Sequence, residues 1–118
     1  MKLSEEASSQ VNYLSNKLGL RRNIICRLAV GRSLAEKESV EYLKPNDGAG
    51  YEFNRPTITG NQDELFKALV NQHENKKLND GEYFSKYLRN HIEKGVELLY
   101  KEYERTNSPI DFLVGLMK

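Results

Sequence analysis

Residues 3–34 read LSEEASSQVNYLSNKLGLRRNIICRLAVGRSL, and this stretch settles the start of the fold. Ser4 offers a side-chain oxygen to the first orphan amides of a helix, and Glu5 and Glu6 place negative charge where the helix dipole favours it. Ala7, Val11, Leu14 and Leu18 follow at steps of three and four, which puts them on one helical face. Gly19 then supplies the left-handed residue that ends helices cheaply. The first helix is expected over about Ser4 to Leu18. A second is expected over about Arg21 to Leu34, with Ile24, Ile25, Leu28, Ala29 and Leu34 apolar and Cys26 and Val30 widening the stripe. So broad an apolar surface on a short helix needs covering from more than one side, which favours self-association.

The same stretch is unusual in charge. From Val11 to Ala35 there are five basic residues, Lys17, Arg21, Arg22, Arg27 and Arg32, and no acidic one. The whole chain sums to only +1, and from Asn61 to Lys118 nine basic residues face ten acidic ones. A local excess inside a balanced chain is the footprint expected where phosphates are met, with a solvated basic face as the alternative reading.

Downstream, Glu36 to Gly60 is charged and turn-prone, with Lys44-Pro45-Asn46-Asp47-Gly48-Ala49-Gly50 and Arg55-Pro56, and it reads as a long connection. Pro56 is expected to hold an extended loop in which Arg55 either makes a contact or packs. Asn61 and Glu64 suggest a capping box, followed by Leu65, Phe66, Leu69 and Val70 on one face. Asp80 is the expected cap of a longer helix carrying Tyr83, Phe84, Tyr87, Leu88, His91, Ile92, Leu98, Leu99 and Tyr103. Ser108-Pro109 opens a last short helix with Ile110, Phe112, Leu113, Leu116 and Met117 on its apolar side. The expectation is an all-α, compact single domain over 1–118 with four to five helices: a basic pair in 1–35, a connection in 36–60 and a helical second half in 61–118.

Hydrophobic residues are 38% and charged residues 30% of the chain, polar for a globular domain but able to build a core. No apolar run suits a signal peptide or a membrane span, so the cytoplasm is the expected compartment. Cys26 is the single cysteine, which excludes an internal disulfide and a cysteine-based zinc cluster within one chain, and its apolar neighbours mark it as a core side chain. There is no glycine-rich phosphate loop, and Gly48-Ala49-Gly50 lacks the surrounding strand and helix that would make it one. His73 and His91 are eighteen residues apart with no spaced acidic partner to complete a metal site, and His91 reads as packing beside Leu88 and Ile92.

The order of residues 3–34 resembles the helical part of the ribbon-helix-helix DNA-binding module, matched at Leu3, Ser4, Leu14, Leu18, Gly19, Leu20, Ile25, Leu28 and Ala29. In that module two chains interlock their helix pairs and the second helix presents its amino end to a phosphate, where Arg21 and Arg22 stand here. Only Met1 and Lys2 precede Leu3, which argues against base readout by a paired ribbon. Taken with GYEFNRPTITGNQDELFKALVNQH at 50–73 and YFSKYLRNHIEKGVELL at 83–99, the chain more closely resembles the DndE family, the small component of the bacterial DNA phosphorothioation system.

That resemblance implies a homotetramer without catalysis or cofactor of its own, binding duplex DNA and preferring nicked duplex. Its implied partners are a cysteine desulfurase with pyridoxal phosphate, an iron-sulfur protein and an ATPase, which supply the chemistry that places sulfur in the DNA backbone. With one cysteine and no phosphate loop, this chain is none of those three. The DNA-binding candidates are Lys17, Arg21, Arg22, Arg27, Arg32 and, more weakly, Arg55. Other readings stay open at this level: an assembly subunit that never touches DNA, a sequence-specific repressor, and a metal-dependent nickase whose carboxylates converge from distant segments.

Overall fold

The computed structural model describes residues 1–106 and 108–116. Helix α1 runs Glu5–Leu18. The Ser4 side chain accepts from the Ala7 amide at 3.1 Å, and Gly19, at φ 68°, closes the helix with its N–H on the Ser15 carbonyl. The Ser4 amide and hydroxyl also donate to the Glu93 carboxylate at 2.8 and 2.7 Å. A carboxylate from a distant helix thus completes this amino terminus, where the dipole favours it. Helix α2, Arg22–Leu34, begins after Arg21 in extended backbone.

The connection is ordered against the core. Residues 1–3 pair antiparallel with 51–53 through Leu3 N to Tyr51 O at 3.0 Å, Gly50 N to Leu3 O at 2.9 Å and Phe53 N to Met1 O at 2.9 Å. The chain start is therefore tied to its own connection rather than held out as a free ribbon. Gly50 is fixed by this close approach, since a Cβ there would lie 2.1 Å from Ser8 Oγ and 2.3 Å from the Ser4 carbonyl oxygen. Asn90 Nδ2 donates to the Val40 and Leu43 carbonyls at 2.9 and 3.2 Å, which holds the first half of the segment.

Several local expectations are corrected. The Arg55-Pro56 segment is not an extended loop but a short helix, α3, Arg55–Thr59. Asn54 caps it by accepting from Thr57 N at 2.9 Å, and proline is tolerated in a first turn because no amide bond is needed there. The Asn61–Glu64 capping box does not form. A 3₁₀ turn, Gly60–Gln62, leads straight into α4, Asp63–Glu74, and Asp63 Oδ1 instead accepts from Thr59 Oγ1 at 2.9 Å. Asn79, not Asp80, caps the next helix, accepting from Glu82 N at 2.8 Å. Asp80 is drawn away by Lys67 and Arg55. That helix runs as α5, Asp80–Glu82, a π-helical segment, Tyr83–Leu88, and α6, Arg89–Glu104. Helix α7 spans Pro109–Leu116, opened by Ser108 as expected, with Asp111 N donating to Ser108 Oγ at 3.2 Å. Met117 lies outside the described residues. Leu65 and Leu69 of α4 face outward, so only Val70 of the expected stripe is fully buried, with Phe66 partly so.

The core lies between α2 and α6. Ile25, Cys26, Ala29 and Val30 meet Ile92, Val96 and Leu99, all essentially inaccessible, and α1 adds Ala7, Val11 and Leu14. Gly95 lets the two helices touch, because a Cβ there would stand 1.7 Å from the Ala29 carbonyl oxygen. Ile25, Cys26, Ala29 and Val30 of α2 are thus covered by their own chain, whereas Ile24, Leu28 and Leu34 are only partly buried. The all-α, single-domain expectation agrees with the structure, whose radius of gyration of 13.5 Å is that of a compact chain of this length. No helix among the described residues is long and apolar enough to cross a membrane.

Candidate nucleic-acid interface and a buried histidine pair

The six basic candidates divide into two groups according to what their side chains touch. Lys17, Arg21 and Arg22 sit around the α1–α2 turn, and all three are exposed. The turn is built by Gly19 and by Ser15, whose hydroxyl donates to the Leu20 carbonyl at 2.5 Å. Lys17 lies 5.6 Å above the Tyr13 ring and Arg22 4.3 Å above the Tyr51 ring, positions that orient a cation without neutralising it. Arg22 also donates to Asn12 Oδ1 at 3.3 Å. Among the described residues none of the three has a carboxylate within salt-bridge distance. Helix α2 begins here with no side-chain cap and no acid in its first turn, so its first amides and the dipole add to the positive field.

Arg27, Arg32 and Arg55 are engaged within the chain. Arg27 Nε donates to the Ile58 carbonyl at 2.5 Å and its guanidinium lies against Gly60, which joins α2 to α3. Arg32 binds Glu102 at 2.5 Å and Glu36 at 2.8 Å, bridging α2, α6 and the start of the connection. Those hydrogen bonds, Glu102's first, raise its pKa further. Arg55 binds Asp63 through Nε at 2.8 Å and a terminal nitrogen at 2.5 Å, and reaches Asp80 at 3.3 Å. The Arg55 hydrogen bond holds the Asp63 carboxyl below the usual carboxylate range. The arginines of the acid-free stretch are therefore not equivalent: carboxylates from 36 and 102, outside the stretch, neutralise Arg32.

A second group of polar side chains meets inside the molecule. His73 and Glu74 end α4, and His91 lies on α6. His73 Nδ1 is 2.6 Å from Glu74 Oε2, and His91 Nε2 is 3.6 Å from the same oxygen. His91 is buried, as expected beside Leu88 and Ile92, but its Nδ1 also lies 2.7 Å from Ser33 Oγ on α2. Burial pushes the His91 imidazole down to about 4. Among the described residues this is the group of three or more His, Cys, Asp or Glu side chains whose ligand atoms come close together. No spacing along the chain signals it, because the acidic partner adjoins one histidine while the second arrives from a different helix.

In comparison with known proteins, residues 1–107 match the model of the family described as DndE, DNA sulphur modification protein DndE. The crystal structure of DndE from Escherichia coli B7A, described as involved in DNA phosphorothioation modification, superposes with a TM-score of 0.70. The two chains are 22% identical, and the match covers 84% of this chain and 93% of that one, a likeness of fold. No curated protein matches the chain.

Proposed function

The chain belongs to the DndE family of DNA sulphur modification proteins, and on that premise we propose that it is the non-catalytic, cytoplasmic component that holds duplex DNA by its phosphate backbone. The observation that carries this reading is the gathering of Lys17, Arg21 and Arg22, unneutralised and exposed, at the uncapped amino end of α2. Those three meet phosphates directly. Arg27, Arg32 and Arg55 act behind them, fixing α2 against α3, α6 and the connection through the contacts above. Backbone contacts position a protein without reading bases, so sequence preference is weak. Nicked duplex is preferred where the surface requires bending, because a nick removes stacking that resists deformation.

The family reading also carries a homotetramer, working beside subunits that perform the sulfur chemistry. Its apolar contact surface is offered by the exposed Leu65 and Leu69 of α4 and Ile110, Leu113 and Val114 of α7, together with the partly buried Leu28 and Leu34 of α2.

The test is a mobility-shift titration with intact, nicked and single-stranded DNA over a salt series, alongside an Arg21→Glu, Arg22→Glu variant. Three phosphate contacts per copy give a log–log salt slope of about −2.7 for each copy engaged. The double variant loses retardation of both duplexes while keeping its helical circular dichroism. Absence of any shift for intact or nicked duplex at low salt sinks the proposal and leaves the assembly role. Magnesium-dependent relaxation of supercoiled plasmid by the purified chain would overturn its non-catalytic part.

A further inference from the structure

The DNA-directed surface makes no use of His73, Glu74 and His91, whose side chains are 9%, 1% and 0% exposed. His73 Nε2 lies 2.5 Å from the Glu36 carbonyl oxygen, which can only accept, so that nitrogen carries a proton. In the neutral ring Nδ1 then presents a lone pair, and it faces Glu74 Oε2 at 2.6 Å. The other oxygen of Glu74 is already occupied by the Ser39 hydroxyl and by Val40 N at 3.2 Å. Also facing Oε2, 3.6 Å away, stands His91 Nε2, fully buried and without a hydrogen-bond partner. Its Nδ1 lies 2.7 Å from Ser33 Oγ, a hydroxyl that can accept from it, and in that tautomer Nε2 is the second bare lone pair.

Two imidazole nitrogens and a carboxylate oxygen thus converge, all within 4.8 Å of one another, on a point shielded from water. Buried lone pairs turned on each other are costly unless something positive lies between them. Imidazole with carboxylate suits a borderline divalent transition metal better than calcium or magnesium, which prefer shells of oxygen. The outward nitrogens already hold the orienting contacts that ligating histidines use, one on a main-chain carbonyl and one on a hydroxyl.

We propose that His73 Nδ1, Glu74 Oε2 and His91 Nε2 form a site for one zinc-like divalent transition-metal ion. Tetrahedral ligation at about 2.05 Å puts neighbouring donor atoms about 3.35 Å apart. Reaching that spacing requires the His73–Glu74 pair to open by about 0.7 Å, the His91–Glu74 pair to close by about 0.3 Å and the two imidazole nitrogens, up to 4.8 Å apart, to approach by as much as about 1.4 Å, a movement made by rotation of both rings. Three protein ligands leave a fourth position for solvent. The burial makes the ion a brace, tying the end of α4 to α6 and, through Ser33, Glu36, Ser39 and Val40, to α2 and the connection. It is separate from the exposed cations of the α1–α2 turn, so a failure of DNA binding and a failure of metal binding are distinguishable.

The experiment uses the full chain stripped with chelator, then loaded with Co²⁺ or Zn²⁺ both by direct titration and by refolding in the metal. The expected result is one ion per chain by elemental analysis, a visible cobalt d–d band displaced by zinc, and a melting midpoint raised by about 5 °C or more at saturating metal. His73→Ala, at the least buried ligand, and Glu74→Gln abolish the band. A wild-type chain that shows neither band nor melting shift by either route overturns the proposal and assigns the cluster to a proton shared by His73 and Glu74. Equal binding by wild type and both variants overturns it as well. Because the wild-type result decides alone, a variant that fails to fold does not protect the idea.

Discussion

Replacing Gly95 with alanine introduces one methyl group at the closest approach of α2 and α6. On the present backbone its Cβ falls 1.7 Å from the Ala29 carbonyl oxygen, 2.4 Å from its carbonyl carbon and 2.8 Å from its Cα. A tolerable contact lies near 3.0 to 3.4 Å, so the helices must part locally by about 1.3 to 1.7 Å. Backbone is what stands in the way, and no rotamer change relieves it. The separation also loosens Ile25, Cys26, Val30, Ile92, Val96 and Leu99, all now buried in the same core. Overpacking of this kind costs about 1–3 kcal/mol or more, and the loosened core adds to that, while the better helix propensity of alanine returns about 1 kcal/mol. With backbone this close the cost falls at the top of that range, and the net expectation is a loss of about 2 kcal/mol or more, a large part of the stability of a domain this size. Gly31→Ala is the internal control: Gly31 lies in α2 with nothing within 4 Å of a Cβ, so propensity alone acts and the chain gains about 0.5–1 kcal/mol. Urea denaturation followed by circular dichroism measures both. Were Gly95→Ala as stable as the parent, or stabilised like Gly31→Ala, the packing argument for α2 and α6 would be wrong.

Three further outcomes follow from the contacts described. Arg32→Gln removes a partly buried double ion pair and should lower stability by about 1 kcal/mol with little change in DNA affinity. Arg22→Gln should do the reverse, and equal effects of the two on a DNA titration would refute the division of the arginines. Burial pushes the Cys26 thiol up to about 12, so alkylation of the native chain at mildly alkaline pH should proceed only at the rate of unfolding. Labelling at the pace of a free thiol would contradict the burial. The Asp63 and Asp80 carboxyls titrate below their unfolded values because of Arg55 and Lys67 respectively. The folded state therefore binds fewer protons, its advantage is complete above about pH 4, and it is lost as pH falls through the depressed values. Melting temperatures over an acid series should fall less steeply in Arg55→Gln, and parallel curves would count against that network.

What the sequence determined by itself was the part of the fold set within four residues: the Ser4 cap, the Gly19 stop, the apolar steps of α1 and α2 and the Ser108-Pro109 start of α7. The acid-free basic stretch and the family likeness were equally visible, because both are properties of order along the chain. Tertiary structure decided everything that depends on a distant partner. Asn79 rather than Asp80 caps its helix because Lys67 and Arg55, 13 and 25 residues away, claim Asp80. Leu65 and Leu69 satisfy helical periodicity yet face outward, since a pattern fixes a face but not what covers it. The same holds for the site: six basic candidates, five in one run and Arg55 beyond it, became three exposed cations and three engaged ones only when Glu36, Ile58, Asp63, Asp80 and Glu102 were brought to them. His73, Glu74 and His91 meet because α4 and α6 pack side by side. Capping and periodicity are local energies that a sequence displays, whereas ion pairing and ligand convergence depend on distances that exist only after the helices have packed.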